Sequence, residues 1–238
     1  MNEYQDGYRD NPEPLDDDRQ RHSRNEKYIP PSIRGVGVKI ALVLLALCVV
    51  VVGGVYLYQK YRLQWEMNQY PLYYEEIVAR QAQVYDLDPY EVMAVIHVES
   101  HGRPMVRSQD NAIGLMQVIP STGEWIAEKL GEKESFSEGI LEDPETNIRY
   151  GCWYLRFLHD RFSEPQTVWA AYNAGQGKVY EWLENPEVSA DGNSLIFDNI
   201  PAGETKAYVP KVQEAYDKYR ELYPEAFAAT ETETINVE

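Results

Sequence analysis

The chain has 238 residues, enough for one compact domain of ~100–200 residues and further segments besides. Its net charge of −17 excludes nucleic acid as a partner, since a phosphate backbone needs clustered Lys and Arg, and argues against docking on anionic lipid. A ligand that is uncharged or carries positive groups suits this balance, and two cysteines, Cys48 and Cys152, are too few for a disulfide framework, so each reads as a small buried hydrophobe.

Residues 1–35 are rich in Asp, Arg, Asn and Pro without hydrophobic periodicity, the pattern of a disordered tail. Ile40 to Tyr58 then carries no charge, and its length approaches the ~20 residues that cross a bilayer core. A buried core helix is the other reading, but helices of soluble domains rarely run this far without a polar face. Arg21, Arg24, Lys27, Arg34 and Lys39 precede it, against Lys60 and Arg62 after it, which places the N-terminus in the cytoplasm. A cleaved signal peptide fits poorly, because the preceding polar segment is long and no small-x-small site follows. Lipoprotein cleavage before Cys48 is disfavoured by Leu47. The expected arrangement is a disordered cytoplasmic tail (1–35), a single transmembrane signal anchor (36–58), a linker (59–69), an exported domain (70–223) and an acidic disordered tail (224–238).

From Tyr70 to about Tyr223 the pattern is helical, with no run of period-two strands. Pro71 is expected to open a first helix with Leu72, Ile77, Val78 and Ala82 on its apolar stripe. Asp88-Pro89-Tyr90-Glu91 predicts a second start, with Asp88 as N-cap, Pro89 at N1 and Glu91 completing a capping box. That helix should stop near Gly102. Others are predicted from Pro120 to Gly131, after Asp143-Pro144-Glu145, through TVWAAYNAG to Gly175, over GKVYEWL, and over ETKAYVPKVQEAYDKYRELY, with a loop from Asn185 to Gly203.

Val92, Val95, Ile96 and Glu99 share one face of the second helix, so a carboxylate ends an apolar stripe. Desolvation there would raise its pKa and suit it to protonating a leaving oxygen. A Glu at a frayed helix end, facing water, is the other reading. His97 and His101 have the i, i+4 spacing of a zinc-protease helix, but Glu99 lies about 200° around the helix from His97 and could not serve the same metal. No metal or other cofactor is expected. Glycines and amides in Gly114-Leu115-Met116-Gln117 and in Tyr172-Asn173-Ala174-Gly175 suit either a sugar-binding cleft or ordinary turns and caps.

Taken together, VIHVESHGRP, SQDNAIGLMQVIPST, AAYNAG and ETKAYVPKV occur in the order found in the soluble lytic transglycosylase catalytic domain, which the chain resembles from Tyr70 to Tyr223. DPETNIRYGCWYL, between the second and third blocks, matches that family's Asn and Gly in this helix. The resemblance departs at Asn111, where a glycine is frequent, and at Ile119, where Met is. It implies an all-α, lysozyme-like helical domain with a substrate cleft, related to goose-type lysozyme. It implies Glu99 as the single catalytic acid/base, with Ser108, Met116, Gln117, Tyr172, Asn173 and Tyr208 binding substrate. The implied substrate is the glycan strand of peptidoglycan, cut at the N-acetylmuramic acid C1 oxygen with closure of a 1,6-anhydro ring. No obvious second carboxylate shares the acid face, and Asp110 is the nearest alternative. Two rival readings are a hydrolytic muramidase on the same fold and a non-catalytic peptidoglycan-binding scaffold. The remaining expected partners are the cytoplasmic membrane, through the single helix, and a cell-wall assembly complex reached by the cytoplasmic tail.

Overall fold

The computed structural model describes residues 31–228, with side chains from residue 35 onward. Expectations for residues 1–30 and 229–238 lie outside that range. The chain divides into two units, Met1–Gln59 and Lys60–Glu238. In the first, α1 (Pro31–Gln69) exposes its apolar side chains from Val36 to Tyr58, including Cys48, which is therefore not the buried hydrophobe its sequence context suggests. The stretch Gly35–Gln69 is long and apolar enough to cross a membrane. Residues 59–69, read as a linker, are helical and belong to α1.

The second unit is helical, and no strand forms among its described residues. Its elements are α2 (Glu75–Val84), α3 (Pro89–Ser100), α4 (Pro120–Leu130), α5 (Pro144–His159), α6 (Pro165–Ala174), α7 (Gln176–Leu183) and α8 (Glu204–Leu222). Helix α3 sits at the centre. Val92, Met93, Ala94, Val95 and Ile96 are all fully buried, so its middle is apolar on every side and not along one stripe. Helices α2 and α8 pack against it, and α5 and α6 complete the core with Ile148, Leu155, Val168 and Ala171.

Several helix starts follow the predicted chemistry. Asp88 caps α3 by accepting from the Tyr90 N–H at 2.8 Å, and Asp143 caps α5 by accepting from Thr146 at 2.9 Å. Two expectations fail. Pro71 does not open a helix; α2 begins at Glu75, after Tyr74 in the left-handed region (φ 50°). The Pro71 carbonyl accepts from Tyr219 at 3.0 Å, and the Tyr73 N–H points at the Met93 sulfur, so this segment is extended and pinned to α3 and α8. Nor does Glu91 form a capping box. It is buried, and its carboxylate takes the Trp169 indole N–H at 2.7 Å and His159 Nε2 at 2.9 Å. A core position with two side-chain donors outcompetes the helix's own N–H group. Packing also continues past Tyr223, where Phe227 is buried edge-on against Tyr90. The disordered tail therefore does not begin at residue 224.

Candidate active site

Glu99 lies half-buried on the last turn of α3, where the fully buried run ends and the helix surfaces. Its neighbour Ser100 is fully buried and returns its hydroxyl to the Ile96 carbonyl at 3.1 Å, while His101 closes the helix in the left-handed region. Tyr208, buried on α8, donates its hydroxyl to Glu99 Oε1 at 2.7 Å. Burial pushes the Glu99 carboxyl up to about 7; the Tyr208 bond opposes this and the charge of Glu204 adds to it. Tyr208 itself is held far above the ordinary tyrosine range by burial and then by Glu99, so it remains a donor.

One asparagine organises a tight loop. Asn147, fully buried on α5, accepts from the Met116 N–H at 2.7 Å and donates to the carbonyls of Ile113 (2.8 Å) and Leu141 (2.7 Å). Gly114 adopts φ +81°, and any Cβ there would collide with the Asn147 amide, so the loop needs glycine on two counts. Gln117, at φ 48°, folds its amide back onto the carbonyls of Gly114 (2.9 Å) and Val106 (3.2 Å). The Met116 carbonyl accepts from the Tyr172 hydroxyl at 2.8 Å, tying α6 to the loop. Glu99 is among the groups that raise the Tyr172 pKa, after burial, which sets the two side chains in one electrostatic neighbourhood. Asn173 accepts from Thr205 at 2.6 Å and so fastens the end of α6 to the start of α8.

A cavity of about 170 Å³ opens between these elements, lined by Gln117, Thr122, Tyr154, Tyr172, Asn173 and Gly175 among others. Gln117, Tyr172 and Asn173 thus share one wall, and Tyr208 meets Glu99. Met116 does not line a cleft by its side chain. It is fully buried, and its sulfur fills the space left by Gly151 on α5, so only its backbone reaches the site. Ser108 is exposed and accepts from the Ala112 N–H at 3.0 Å, closing its own turn without a hydrogen bond to Glu99. The second carboxylate felt at Glu99 is Glu204, not Asp110. Glu204 and Tyr208 are one turn apart on α8, a spacing that could have signalled this. Asn147 and Gly151 are the Asn and Gly of the DPETNIRYGCWYL block, and their partners, like that of Thr205, come from distant segments.

His97 and His101 stack on each other at 4.9 Å between ring centres, and Tyr70 stacks on His97 at 4.7 Å. Burial, and then the neighbouring His101, lower the His97 pKa to about 4. A larger cavity, about 390 Å³, lies at the other end of α3 around Glu91, whose carboxylate is already engaged by Trp169 and His159.

The family described as the transglycosylase SLT domain matches residues 76–194. The chain belongs to that family. This SLT domain is 34% identical over 169 residues to the soluble lytic murein transglycosylase of Escherichia coli K12, a match covering 69% of the chain and 26% of that relative. It is 32% identical over 165 residues to the membrane-bound lytic murein transglycosylase C of Actinobacillus pleuropneumoniae serotype 5b, covering 61% of the chain and 45% of that relative. The crystal structure of the 70 kDa soluble lytic transglycosylase from Escherichia coli superposes with a TM-score of 0.60 at 33% identity, covering 66% of this chain and 25% of that one. The SLT chain therefore spans about a quarter of the length of the first relative it matches. Its lysozyme-like helical fold agrees with the expected class.

Proposed function

We propose that this protein is a peptidoglycan lytic transglycosylase that cuts the MurNAc–GlcNAc β-1,4 bond and leaves a 1,6-anhydro-MurNAc end. The observation that carries this reading is a half-buried carboxyl, raised to about 7 and oriented by Tyr208, in the same electrostatic neighbourhood as Tyr172, which lines a cavity walled by neutral amides and tyrosines. At neutral pH a large fraction of Glu99 is protonated. It gives its proton to the glycosidic oxygen as the C1–O bond breaks, and the substrate's own N-acetyl group can shield the cationic C1. The resulting Glu99 carboxylate takes the proton of the C6 hydroxyl of the same sugar, whose oxygen bonds to C1. The carboxyl returns to its starting state and no water is consumed. Most glycosidases need a second carboxylate as nucleophile or base, and here the substrate supplies the nucleophile. Gln117, Tyr172 and Asn173 serve this reading as neutral groups that orient the sugar, and Met116 supports Tyr172 through its carbonyl. Ser108 serves it as a substrate-holding residue at the rim.

The glycan lies outside the cytoplasmic membrane, so α1 acts as a single-pass anchor with the N-terminus inside. The basic residues ahead of the apolar run support this orientation. The deciding experiment is mass spectrometry of sacculi digested by the purified protein. Anhydromuramyl ends are expected; reducing ends alone would replace the reading with hydrolysis, and unaltered sacculi would leave a binding protein.

A further inference from the structure

The cavity lined by Gln117, Tyr172 and Asn173 is bordered by an aromatic surface. Thr122 and Ile126 form its α4 wall and Tyr154 its α5 wall. One turn further along the same helix faces stand Trp125, three residues after Thr122, and Phe157, three after Tyr154. The rings touch in series. Tyr172 meets Tyr154 at 5.5 Å, Tyr154 lies nearly parallel to Phe157 at 6.0 Å, and Phe157 stacks on Trp153 at 5.5 Å. Trp125 stands edge-on to both Trp153 (5.1 Å) and Phe157 (4.9 Å).

All of these rings are only half-buried, although their immediate neighbours Ile126, Leu155 and Leu158 belong to the core. Among the described residues the indole N–H groups of Trp125 and Trp153 have no protein acceptor, and no buried side-chain polar atom is left unpartnered, so both reach solvent. Trp169 shows the contrast: it is buried and spends its N–H on Glu91. A tryptophan that only fills space hides its ring and satisfies its N–H, whereas Trp125 and Trp153 offer part of a flat apolar face beside a free donor.

We infer that the ladder carried by Trp125, Trp153 and Tyr154 is a distal subsite for N-acetylated sugar rings of the strand whose scissile bond lies at Glu99, with Phe157, whose face carries the Arg161 guanidinium at 3.3 Å, packing the other rings in place. The inference rests on the reading under Proposed function. A β-linked pyranose has one flat face of C–H groups for an aromatic ring, and equatorial oxygens at its edge for an indole N–H. Continuity with the cavity wall at Tyr154 and Tyr172 favours a strand already held in the cleft over a separate protein partner.

The test uses the full chain in detergent, with peptide-free glycan strands as substrate. Replacing one aromatic contact of ~0.5–1.5 kcal/mol predicts a rise in KM of about 2–10-fold for Trp153→Ala, with the loss falling on KM and not on kcat. Because an alanine also removes α4–α5 packing, the second measurement is the NMR indole N–H signals of the Glu99→Gln protein titrated with an N-acetylglucosamine hexamer. Saturable shifts of the Trp125 and Trp153 signals by the hexamer, and not by the dimer, are expected. An unchanged KM in a folded Trp153→Ala protein, or indole signals that ignore the hexamer, would overturn the subsite while leaving cleavage by the parent intact. A parent that leaves strands uncut would instead overturn the reaction, and the titration would still judge the ladder.

Discussion

The Tyr208 hydroxyl donates to Glu99 Oε1 at 2.7 Å, joining the last turn of α3 to the first half of α8. Two forces meet on that carboxyl. Burial favours its neutral form, whereas a donated hydrogen bond favours its charged form, and a value of about 7 shows that burial wins. Removing the hydroxyl in Tyr208→Phe leaves burial unopposed. The alkaline limb of kcat/KM should then move to higher pH by about one to two units, since a hydrogen bond to a charged group contributes ~1.5–3 kcal/mol. The maximal rate should fall, because the carboxyl loses its orientation. A pH–rate profile on glycan strands checks both effects; a limb that moves down would mean that the bond stabilises the acid form.

Glu204 acts in the opposite sense. Its charge raises the Glu99 pKa, so Glu204→Gln should move the alkaline limb to lower pH. If Glu99 works alone, the rate at the optimum should stay within about tenfold of the parent, against a loss of about 10²–10⁴ for Glu99→Gln. A Glu204→Gln loss as large as that of Glu99→Gln would mean that two carboxylates share the chemistry, and the anhydro product would have to be abandoned.

Local chemistry was readable wherever one residue settles the matter. Asp88 and Asp143, each followed by proline, marked the starts of α3 and α5, and Gly131 and Gly175 marked the ends of α4 and α6. Glu99 stood out because an acid closed an apolar run. What depended on distant partners was not readable. The Glu91 position matched a capping box, and only the fold reveals Trp169, 78 residues away, as the donor that claims it. Pro71 looked like a helix start because nothing local betrays that Tyr219 would hold its carbonyl. Met116 looked like a cleft residue, but the missing side chain at Gly151 draws its sulfur inward.

The raised Glu99 pKa also has a cost in stability. Below about pH 4.5 the carboxyl is protonated in both folded and unfolded chains and makes no difference. Between 4.5 and about 7 the unfolded chain loses its proton while the folded one retains it, so stability falls as pH rises. Above 7 the deficit is complete, with a ceiling on the order of 3 kcal/mol. Glu99→Gln should therefore melt at a higher temperature than the parent at pH 8 and show no such gain at pH 4. Thermal unfolding at the two pH values tests this, and a gain that is equal at both would assign it to packing and not to charge.

Asn147 should prove as necessary to the site as the residues that touch substrate. In Asn147→Ala the Met116 N–H and the Leu141 carbonyl lose their partner inside the protein, while the Ile113 carbonyl keeps only the Val118 N–H at 3.0 Å. Each unpaired group costs ~1–3 kcal/mol, partly recovered by relaxation, so a net loss of about 2–4 kcal/mol is expected. For a domain of this size that corresponds to a fall in Tm of roughly 4–16 °C. The loop carries the carbonyl that positions Tyr172, so activity should fall even at temperatures where the variant remains folded. Tyr172→Phe separates the two effects. It removes the hydroxyl that reads the loop while leaving the Asn147 network whole, and should reproduce part of the loss of activity with little of the loss of stability. An Asn147→Ala protein that melts like the parent would show that water replaces the amide, and the loop would then need no buried side chain to hold it.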